Sequence, residues 1–316
     1  MTAVEDILAD LDRFKDDYIK SLERYIDEIQ VEIDAAYEFA LVKEEIVNTM
    51  ISVLEKLKTL NTPFEKLKYI SEAKMNLEQH HPLKITSKKQ LRKKKKKTIH
   101  DHFVSVQERI GEVKNFFTQQ RKQIAQKAGQ ILKEIQECPF GKRKEWRKNS
   151  LYFQNKVTEL LAWSFIDELE LLPPWEFRGR LKIDAVFKVN DSVKNGLKDR
   201  WGLQFDHLFV ECKNYKRPDY KDLMQLFAYS LFCEASDISK IPLGILISRE
   251  NPGSSSAASK IREIIFLKKM GEESRLMLFL DLKDLQIIVN CLEKGNPAEV
   301  IKNKREDLSH SFIGRR

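Results

Sequence analysis

Apolar residues recur at helical spacing through the first part of the chain. They alternate steps of three and four, and several lie eleven residues apart: Ile7, Tyr18, Ile29 and Ala40. An eleven-residue repeat corresponds to about 3.67 residues per turn, which keeps an apolar stripe nearly straight along a helix. The pattern predicts a long amphipathic helix whose apolar side needs a packing partner.

A second long helix is predicted from Ile99 to about residue 137. Its apolar positions mostly alternate steps of four and three, the spacing of a coiled-coil seam. They are Phe103, Val106, Ile110, Val113, Phe117, Ile124, Ala128, Ile131 and Ile135. We expect residues 1–137 to form an all-α, elongated helical bundle or coiled coil. Its helices pair either within the chain or with a second copy, as a homodimer, or with another protein.

The pattern changes after a break at residues 138–141, Cys-Pro-Phe-Gly. Short apolar runs then alternate with amphipathic stretches, which is typical of an α/β domain. The segment Pro242–Ser248 is continuously apolar, as in a strand buried on both faces. Strands are predicted at 181–189, 208–213, 242–248 and 276–280. Helices are predicted at 151–172 and 219–235, followed by one that ends at 270 and one that begins at 282. We expect a basic linker at 138–150 and an α/β domain at 151–316, with a central mixed sheet flanked by helices.

Composition favours a soluble protein. The 316 residues are 42% hydrophobic and 33% charged, and no run approaches the roughly 18 apolar residues that a membrane span requires. The acidic start at residues 1–6 lacks the basic and apolar regions of a signal peptide. The four cysteines are far apart, without the paired spacing of a zinc site. We expect a cytoplasmic protein with reduced thiols and no membrane contact.

The net charge of +8 is concentrated in the middle of the chain. Its centre is a basic loop at residues 84–98. Five consecutive lysines in this loop are candidate nucleic-acid contacts: Lys93, Lys94, Lys95, Lys96 and Lys97. A dense cationic run is attracted to polyanions because binding releases their counterions. The alternative is a solvated loop at the end of a helical hairpin.

Two predicted strands of the α/β domain carry charged residues that can converge. Side chains alternate across a strand, so Glu211 and Lys213 share one face, and Cys212 takes the other. On the preceding strand, Ile183, Ala185 and Phe187 are expected to form the apolar face, which leaves Asp184 on the opposite face. If the strands pair, both carboxylates and the lysine meet.

This order of elements resembles the PD-(D/E)xK nuclease superfamily, with its restriction-endonuclease-like fold, over about residues 151–290. The motif reads Ile183-Asp184 and then Glu211-Cys212-Lys213, with Ile183 where the family has proline. Gln225 and Tyr229, four residues apart on the following helix, resemble the Gln-x-x-x-Tyr element of RecB-like members.

The helix near residue 152 resembles the opening helix of Mrr-like restriction enzymes. The family places a glutamate after the phenylalanine, and here that position holds Gln154. Glu159 is a candidate for the missing third acid, and it is equally compatible with a surface role.

The resemblance implies a Mg²⁺- or Mn²⁺-dependent nuclease that acts on DNA, in restriction or phage defence. Asp184 and Glu211 would bind the metal ion with the backbone carbonyl of Cys212, because hard divalent cations prefer oxygen ligands. Lys213 would orient or deprotonate the attacking water. Gln225 and Tyr229 would support the site. The alternative is a non-catalytic scaffold or nucleic-acid-binding protein whose nuclease-like domain is degenerate.

Overall fold

The computed structural model describes residues 3–38, 48, 51–52, 54–55, 99–139, 145–173, 176–177, 181–215, 217–235, 239, 241–253, 256, 259–260, 276–293 and 295–313. The basic loop at 84–98, with Lys93 to Lys97, lies outside these ranges. So do residues 261–270 of the helix expected to end at 270, of which Ser259 and Lys260 are described and helical. Within the described ranges, no helix is both long enough and apolar enough to cross a membrane.

The described helices are α1 (Ala3–Glu38), α2 (Ile99–Glu137), α3 (Trp146–Ser164), α4 (Leu197–Trp201), α5 (Tyr220–Ala235), α6 (Leu282–Cys291) and α7 (Glu299–Ile313). A 3₁₀ helix, Asp191–Gly196, precedes α4. The strands are β1 (Leu169–Leu171), β2 (Glu176–Phe177), β3 (Leu181–Lys182), β4 (Ala185–Val189), β5 (His207–Lys213), β6 (Pro242–Ser248) and β7 (Leu276–Leu280).

Backbone contacts divide the chain into two compact units. One unit contains Met1–Leu11 and Arg121–Arg316, and the other contains Asp12–Gln120. The division therefore falls within α1 and α2, whereas the sequence pattern placed the domain boundary at 138–150. Within the first unit, Lys156 Nζ of α3 lies 2.8 Å from Glu134 Oε2 near the end of α2.

In the unit of residues 12–120, α1 packs against α2. Apart from Leu54, the core consists of predicted stripe and seam positions, so α1 has a packing partner within the chain. The buried cluster contains Leu22, Ile29, Ile33, Leu54, Val106, Ile110, Val113 and Phe117. Burying such side chains stabilises a helix pair by about 1.5 to 3 kcal/mol for each large apolar residue. At the edge, Arg109 Nη1 lies 3.1 Å from Glu28 Oε2.

The other unit is built on a five-stranded mixed sheet, in the order β1-β4-β5-β6-β7. The first three of these strands pair antiparallel, and β6 and β7 continue the sheet in parallel with β5. The helix α5 provides the crossover that a parallel β5–β6 pair requires. All seven residues of β6 are buried, as its continuous apolar run predicted.

Two sequence predictions in this unit were wrong in detail. The helix expected at 151–172 ends at Ser164, and the edge strand β1 follows at Leu169–Leu171. The apolar spacing of 160–172 is compatible with either structure, and pairing with β4 decides for a strand. The strand expected at 181–189 is interrupted at Ile183 and Asp184, and β3 pairs with β2 in a separate two-stranded sheet.

The interruption also changes the face on which Ile183 lies. Instead of sharing a face with Ala185 and Phe187, Ile183 joins a buried cluster with Val186 and Phe209. The remaining members of that cluster are Leu223, Leu226, Tyr229, Leu246, Met277 and Phe279. The bend at Asp184 thus shifts the alternation by one position, which a strict period of two could not predict.

Gly244 of β6 allows α5 to approach the sheet closely. A Cβ atom at this position would meet the side chain of Leu226 at 3.0 Å, which is tighter than ordinary van der Waals contact. A glycine within a strand often marks such an approach. The result is that α5 lies on the same face as Phe209, and its first turn reaches the end of β5.

Candidate active site

The register of β4 and β5 brings Asp184 to Glu211 and its neighbours. Ala185 pairs with Val210 in an antiparallel ladder, so the residue before Ala185 and the residue after Val210 meet at the same end of the pair. Asp184 lies in the bend there, and its Oδ2 accepts the backbone N–H of Cys212 at 2.7 Å. This bond fixes the Asp184 carboxylate against β5.

Glu211 is buried, with 2% of its surface exposed. Its Oε1 lies 2.6 Å from Lys213 Nζ, and its Oε2 has no hydrogen-bond partner among the described residues. Burial, followed by the charge of Asp184, raises the pKa of Glu211 to about 8, although Lys213 opposes the rise. A carboxylate with a buried, unsatisfied oxygen beside a second carboxylate favours binding of a cation.

Lys213 shares the face of Glu211, as predicted, and it also contacts α5. Its Nζ lies 3.5 Å from Asp222 Oδ1. Burial disfavours the charged amine, but Glu211 and Asp222 outweigh that effect and raise the pKa of Lys213. The lysine is therefore an ammonium ion held between the carboxyl groups of Glu211 and Asp222.

Sequence reasoning missed Asp222 as a site residue. The side chain of Asp219 accepts the N–H groups of Lys221 and Asp222, while Asp222 Oδ2 accepts the N–H of Asp219 at 2.9 Å. This reciprocal cap begins α5. Asp222 lies three residues before Gln225, hence on the same helical side, and this spacing is a signal that could have identified it.

Gln225 and Tyr229 lie on α5 as expected, and Gln225 Nε2 donates a hydrogen bond to the Tyr229 hydroxyl. Tyr229 is 1% exposed and belongs to the cluster between α5 and the sheet. Burial raises the pKa of Tyr229 to about 12, with Glu211 and Asp184 adding to the rise. Tyr229 packs in the same buried cluster as Ile183, the residue before Asp184, which places the Gln225–Tyr229 pair near the site.

The two candidates for the third acid position have different environments. Gln154 Nε2 of α3 donates to the backbone carbonyl of Asp184 at 3.2 Å. Glu159 is held by lysines, with Oε2 2.8 Å from Lys156 Nζ and Oε1 3.3 Å from Lys127 Nζ. The structure thus brings Gln154 to Asp184, whereas it places Glu159 in an ion-pair network between α2 and α3.

A second feature that sequence reasoning missed fixes the ends of β5 and β6. Arg249, directly after β6, donates from Nε to Asn214 Oδ1 at 2.8 Å and from Nη2 to the Cys138 carbonyl. Asn214, directly after Lys213, donates to the Asn149 carbonyl at 3.2 Å. The guanidinium of Arg249 also lies over the ring of Phe153. These bonds hold the strand end that carries Lys213 against the start of α3.

The donor set fits a hard divalent cation. Among the described residues no group of three or more His, Cys, Asp or Glu side chains forms a metal cluster, but Mg²⁺ usually takes only one or two carboxylates from a protein. Asp184 and Glu211 supply these. Burial and the charges of Asp184 and Glu211 raise the pKa of the Cys212 thiol. This side chain lies on the opposite face of β5 from Glu211, so the ligand that Cys212 would offer is its backbone carbonyl.

No protein-family model, curated protein or solved structure matches this chain. A fold hosts many functions, so function rests on the chemistry of the site. That site combines two adjacent carboxylates, one with an unsatisfied oxygen, and an ammonium at the end of a mixed sheet. Such a combination can bind a divalent cation and place a positive side chain beside it.

Proposed function

We propose that this chain is a metal-dependent nuclease of the PD-(D/E)xK type that hydrolyses phosphodiester bonds in DNA. The observation that carries the proposal is the convergence of Asp184, Glu211 and Lys213 where β4 and β5 meet. The charge of Asp184 acts on Glu211, and Lys213 Nζ lies 2.6 Å from Glu211. Hydrolysis of a phosphodiester requires a cation, a positioned water and a positive group. Asp184 and Glu211 can bind the cation, and Lys213 can position the water or supply the positive charge.

The order of elements supports the same proposal. A helix, α3, precedes the antiparallel strands β1, β4 and β5, and α5 then crosses over to the parallel strand β6. This is the arrangement that the restriction-endonuclease-like fold implies. The acids lie at the bend before β4 and near the end of β5, with α5 alongside.

Each side chain has a definable role in this proposal. Asp184 and Glu211 would hold Mg²⁺ or Mn²⁺ together with the Cys212 carbonyl. The bound ion would acidify a water molecule and offset charge on the phosphate. Lys213 orients that water or stabilises the developing negative charge. Gln225 and Tyr229 support the geometry from α5, and Gln154 supports the backbone at Asp184.

Restriction or phage defence is the biological setting we propose. The lysines at 93–97 would contact the DNA backbone, and the helical residues 1–137 would serve for dimerisation, for docking of another protein or for grip on DNA. Cytoplasmic location belongs to the same proposal, because its substrate is found there.

One observation favours the alternative of a non-catalytic domain. At the position where Mrr-like enzymes carry an acid, Gln154 donates an amide hydrogen to the Asp184 carbonyl, and an amide is a weaker cation ligand than a carboxylate. A degenerate domain would retain the Glu211–Lys213 ion pair for stability alone. Metal binding separates the two, because only the nuclease needs Asp184 and Glu211 to bind a cation.

The proposal is tested with labelled duplex DNA, single-stranded DNA and RNA, incubated with the full chain in Mg²⁺ or Mn²⁺ and in EDTA. We expect cleavage of DNA that EDTA abolishes. Asp184→Ala and Lys213→Ala should remove it. Cleavage that persists in both variants would assign the activity to other residues and overturn the proposal.

A further inference from the structure

The two oxygens of Asp222 are engaged differently. Oδ2 accepts hydrogen bonds from the Tyr215 hydroxyl and from the backbone N–H of Asp219. Oδ1 lies 3.5 Å from Lys213 Nζ. Because two donors hold one oxygen, the carboxylate cannot rotate freely, and its second oxygen stays turned toward the ammonium. Both side chains are largely buried, with 12% of Asp222 and 17% of Lys213 exposed.

Lys213 has a closer partner in Glu211, at 2.6 Å. A cation bound by Glu211 competes with this contact, because the ammonium and the ion carry charge of the same sign and need the same carboxylate. An ammonium that lost its partner while still largely buried would be strongly destabilised. The lysine therefore needs a second anion within reach.

We infer that Asp222 is that second anion and acts as a positioning residue, which takes over the ionic contact of Lys213 when Glu211 binds a divalent cation. The inference rests on the proposed function and deepens it. Lys213 then stays beside the cation without competing for Glu211. Tyr215 contributes indirectly, since its hydroxyl fixes the orientation of Asp222.

The substitution Asp222→Asn isolates this role. Asparagine retains one acceptor oxygen for Tyr215 and Asp219, and it replaces Oδ1 with an amide nitrogen that cannot accept from Lys213. We expect Mn²⁺ binding by the full chain, measured by isothermal titration calorimetry, to weaken about tenfold. The reason is that the cation must then displace Lys213 from Glu211 with no other partner available.

The same substitution made in a Lys213→Met protein gives the decisive comparison. Without the Lys213 ammonium, no side chain has to move from Glu211 to Asp222 when the cation binds. Asp222→Asn should then change Mn²⁺ affinity by less than about threefold, and this small change would reflect the loss of one nearby negative charge. Tyr215→Phe, which leaves the carboxylate intact, is the second variant in case Asp222→Asn folds poorly. It should weaken binding by about threefold, again only when Lys213 is present.

Asp284→Asn is a matched control within the same chain. Asp284 also closes a reciprocal cap, accepting the N–H of Asp281 on Oδ2 at 2.9 Å, and its Oδ1 lies 2.8 Å from a lysine, Lys304. Asn251 donates to its Oδ2 as Tyr215 does to that of Asp222. The control therefore reproduces the loss of a cap carboxylate and of a lysine partner, and it should leave Mn²⁺ affinity unchanged.

The results separate the inference from the proposed function. A wild-type chain that binds no Mn²⁺ contradicts the proposed function, and the inference fails with it. Wild-type binding with an equal loss from Asp222→Asn in both backgrounds, or with no loss in either, overturns the inference alone. Where cleavage is measurable, Asp222→Asn should lower kcat more than it raises KM, and Asp222→Glu should restore part of kcat because it returns a carboxylate to Lys213.

Discussion

Asp184 Oδ2 accepts the backbone N–H of Cys212 at 2.7 Å, and this bond joins the bend before β4 to the strand that carries Glu211 and Lys213. The bond is made by a side chain outside the ladder, so it compensates for the interruption of the predicted strand at residues 183–184. Because of this interruption, the Asp184 side chain does not follow the alternation between the two faces of the strand. The bend is therefore part of the site and not a defect of the sheet.

Glu211 gives the protein a distinctive dependence of stability on pH. Burial and Asp184 raise its pKa to about 8 from the ordinary value of 4.5, so the folded protein keeps this proton to higher pH than the unfolded chain. Raising the pH through that interval therefore favours unfolding. We expect the free energy of unfolding without metal to fall by about 4 kcal/mol between pH 5 and pH 8, as measured by urea denaturation.

Glu211→Gln removes the titrating group at nearly the same volume. Between pH 5 and pH 8 the free energy of unfolding should fall less for the variant than for the wild type. The difference between the two free energies of unfolding should therefore grow toward pH 8. Added Mg²⁺ should stabilise the wild type at pH 8, because an ion bound only by the folded state shifts the equilibrium toward it. If the free energy of unfolding depends on pH in the same way for both proteins, the pKa of Glu211 is not raised in the folded state.

Gln154→Glu should restore an acid where the opening helix meets Asp184. It removes the N–H donor that bonds the Asp184 carbonyl at 3.2 Å, which should cost about 1 kcal/mol of stability without metal. It also adds a carboxylate, so we expect Mn²⁺ affinity to rise by about threefold to tenfold. Calorimetric titration and urea denaturation measure both effects. Unchanged affinity would place position 154 too far from the cation to act as a ligand.

Glu159→Gln should affect stability and not cation binding. Lys156 and Lys127 hold its two oxygens at 2.8 and 3.3 Å, and Lys156 keeps Glu134 as a partner after the substitution. We expect a loss of about 1 kcal/mol in the free energy of unfolding with unchanged Mn²⁺ affinity. Should the affinity fall as far as it does in Asp184→Asn, Glu159 would be the third acid after all.

The lysine run is tested by changing Lys93 to Lys97 to serine. Each lysine that contacts a phosphate contributes about 0.9 to the slope of log affinity against log salt concentration. If all five make contact, the slope should decrease in magnitude by up to about 4.5. Fluorescence anisotropy with labelled duplex DNA at several salt concentrations measures it. An unchanged slope would identify the run as a solvated loop.

Much of the sheet was predictable because a strand buried on both faces reads in the sequence as a nearly continuous apolar run. The run at 242–248 is apolar up to its last residue, Ser248, and the run at 276–280 is apolar throughout; they coincide with β6 and β7. The strand β1 was missed since Leu169 and Leu171 also fit the end of a helix, and only their pairing with β4 distinguishes the two. The second closing helix, α7, was likewise not separated from α6.

The site was predictable where chemistry and alternation coincide. Glu211 and Lys213 lie two apart on one strand, and their side chains form the ion pair that this spacing allows. Asp222 was not identified because an aspartate at the start of a helix has a sufficient local explanation as a cap. Its second oxygen turns toward Lys213 only once α5 packs on the sheet, and that packing depends on the close approach of Leu226 to Gly244, which lies in the next strand.

The most direct measurement of the central claim is the single-turnover rate of phosphodiester cleavage in labelled duplex DNA with Mg²⁺, compared between Asp184→Asn and Asp284→Asn. Both variants exchange one aspartate for its amide, but only Asp184 belongs to the proposed cation site. We predict that Asp184→Asn lowers the rate at least about a hundredfold, while Asp284→Asn stays near the wild-type rate. Equal rates in the two variants would contradict the assignment of catalysis to Asp184, Glu211 and Lys213.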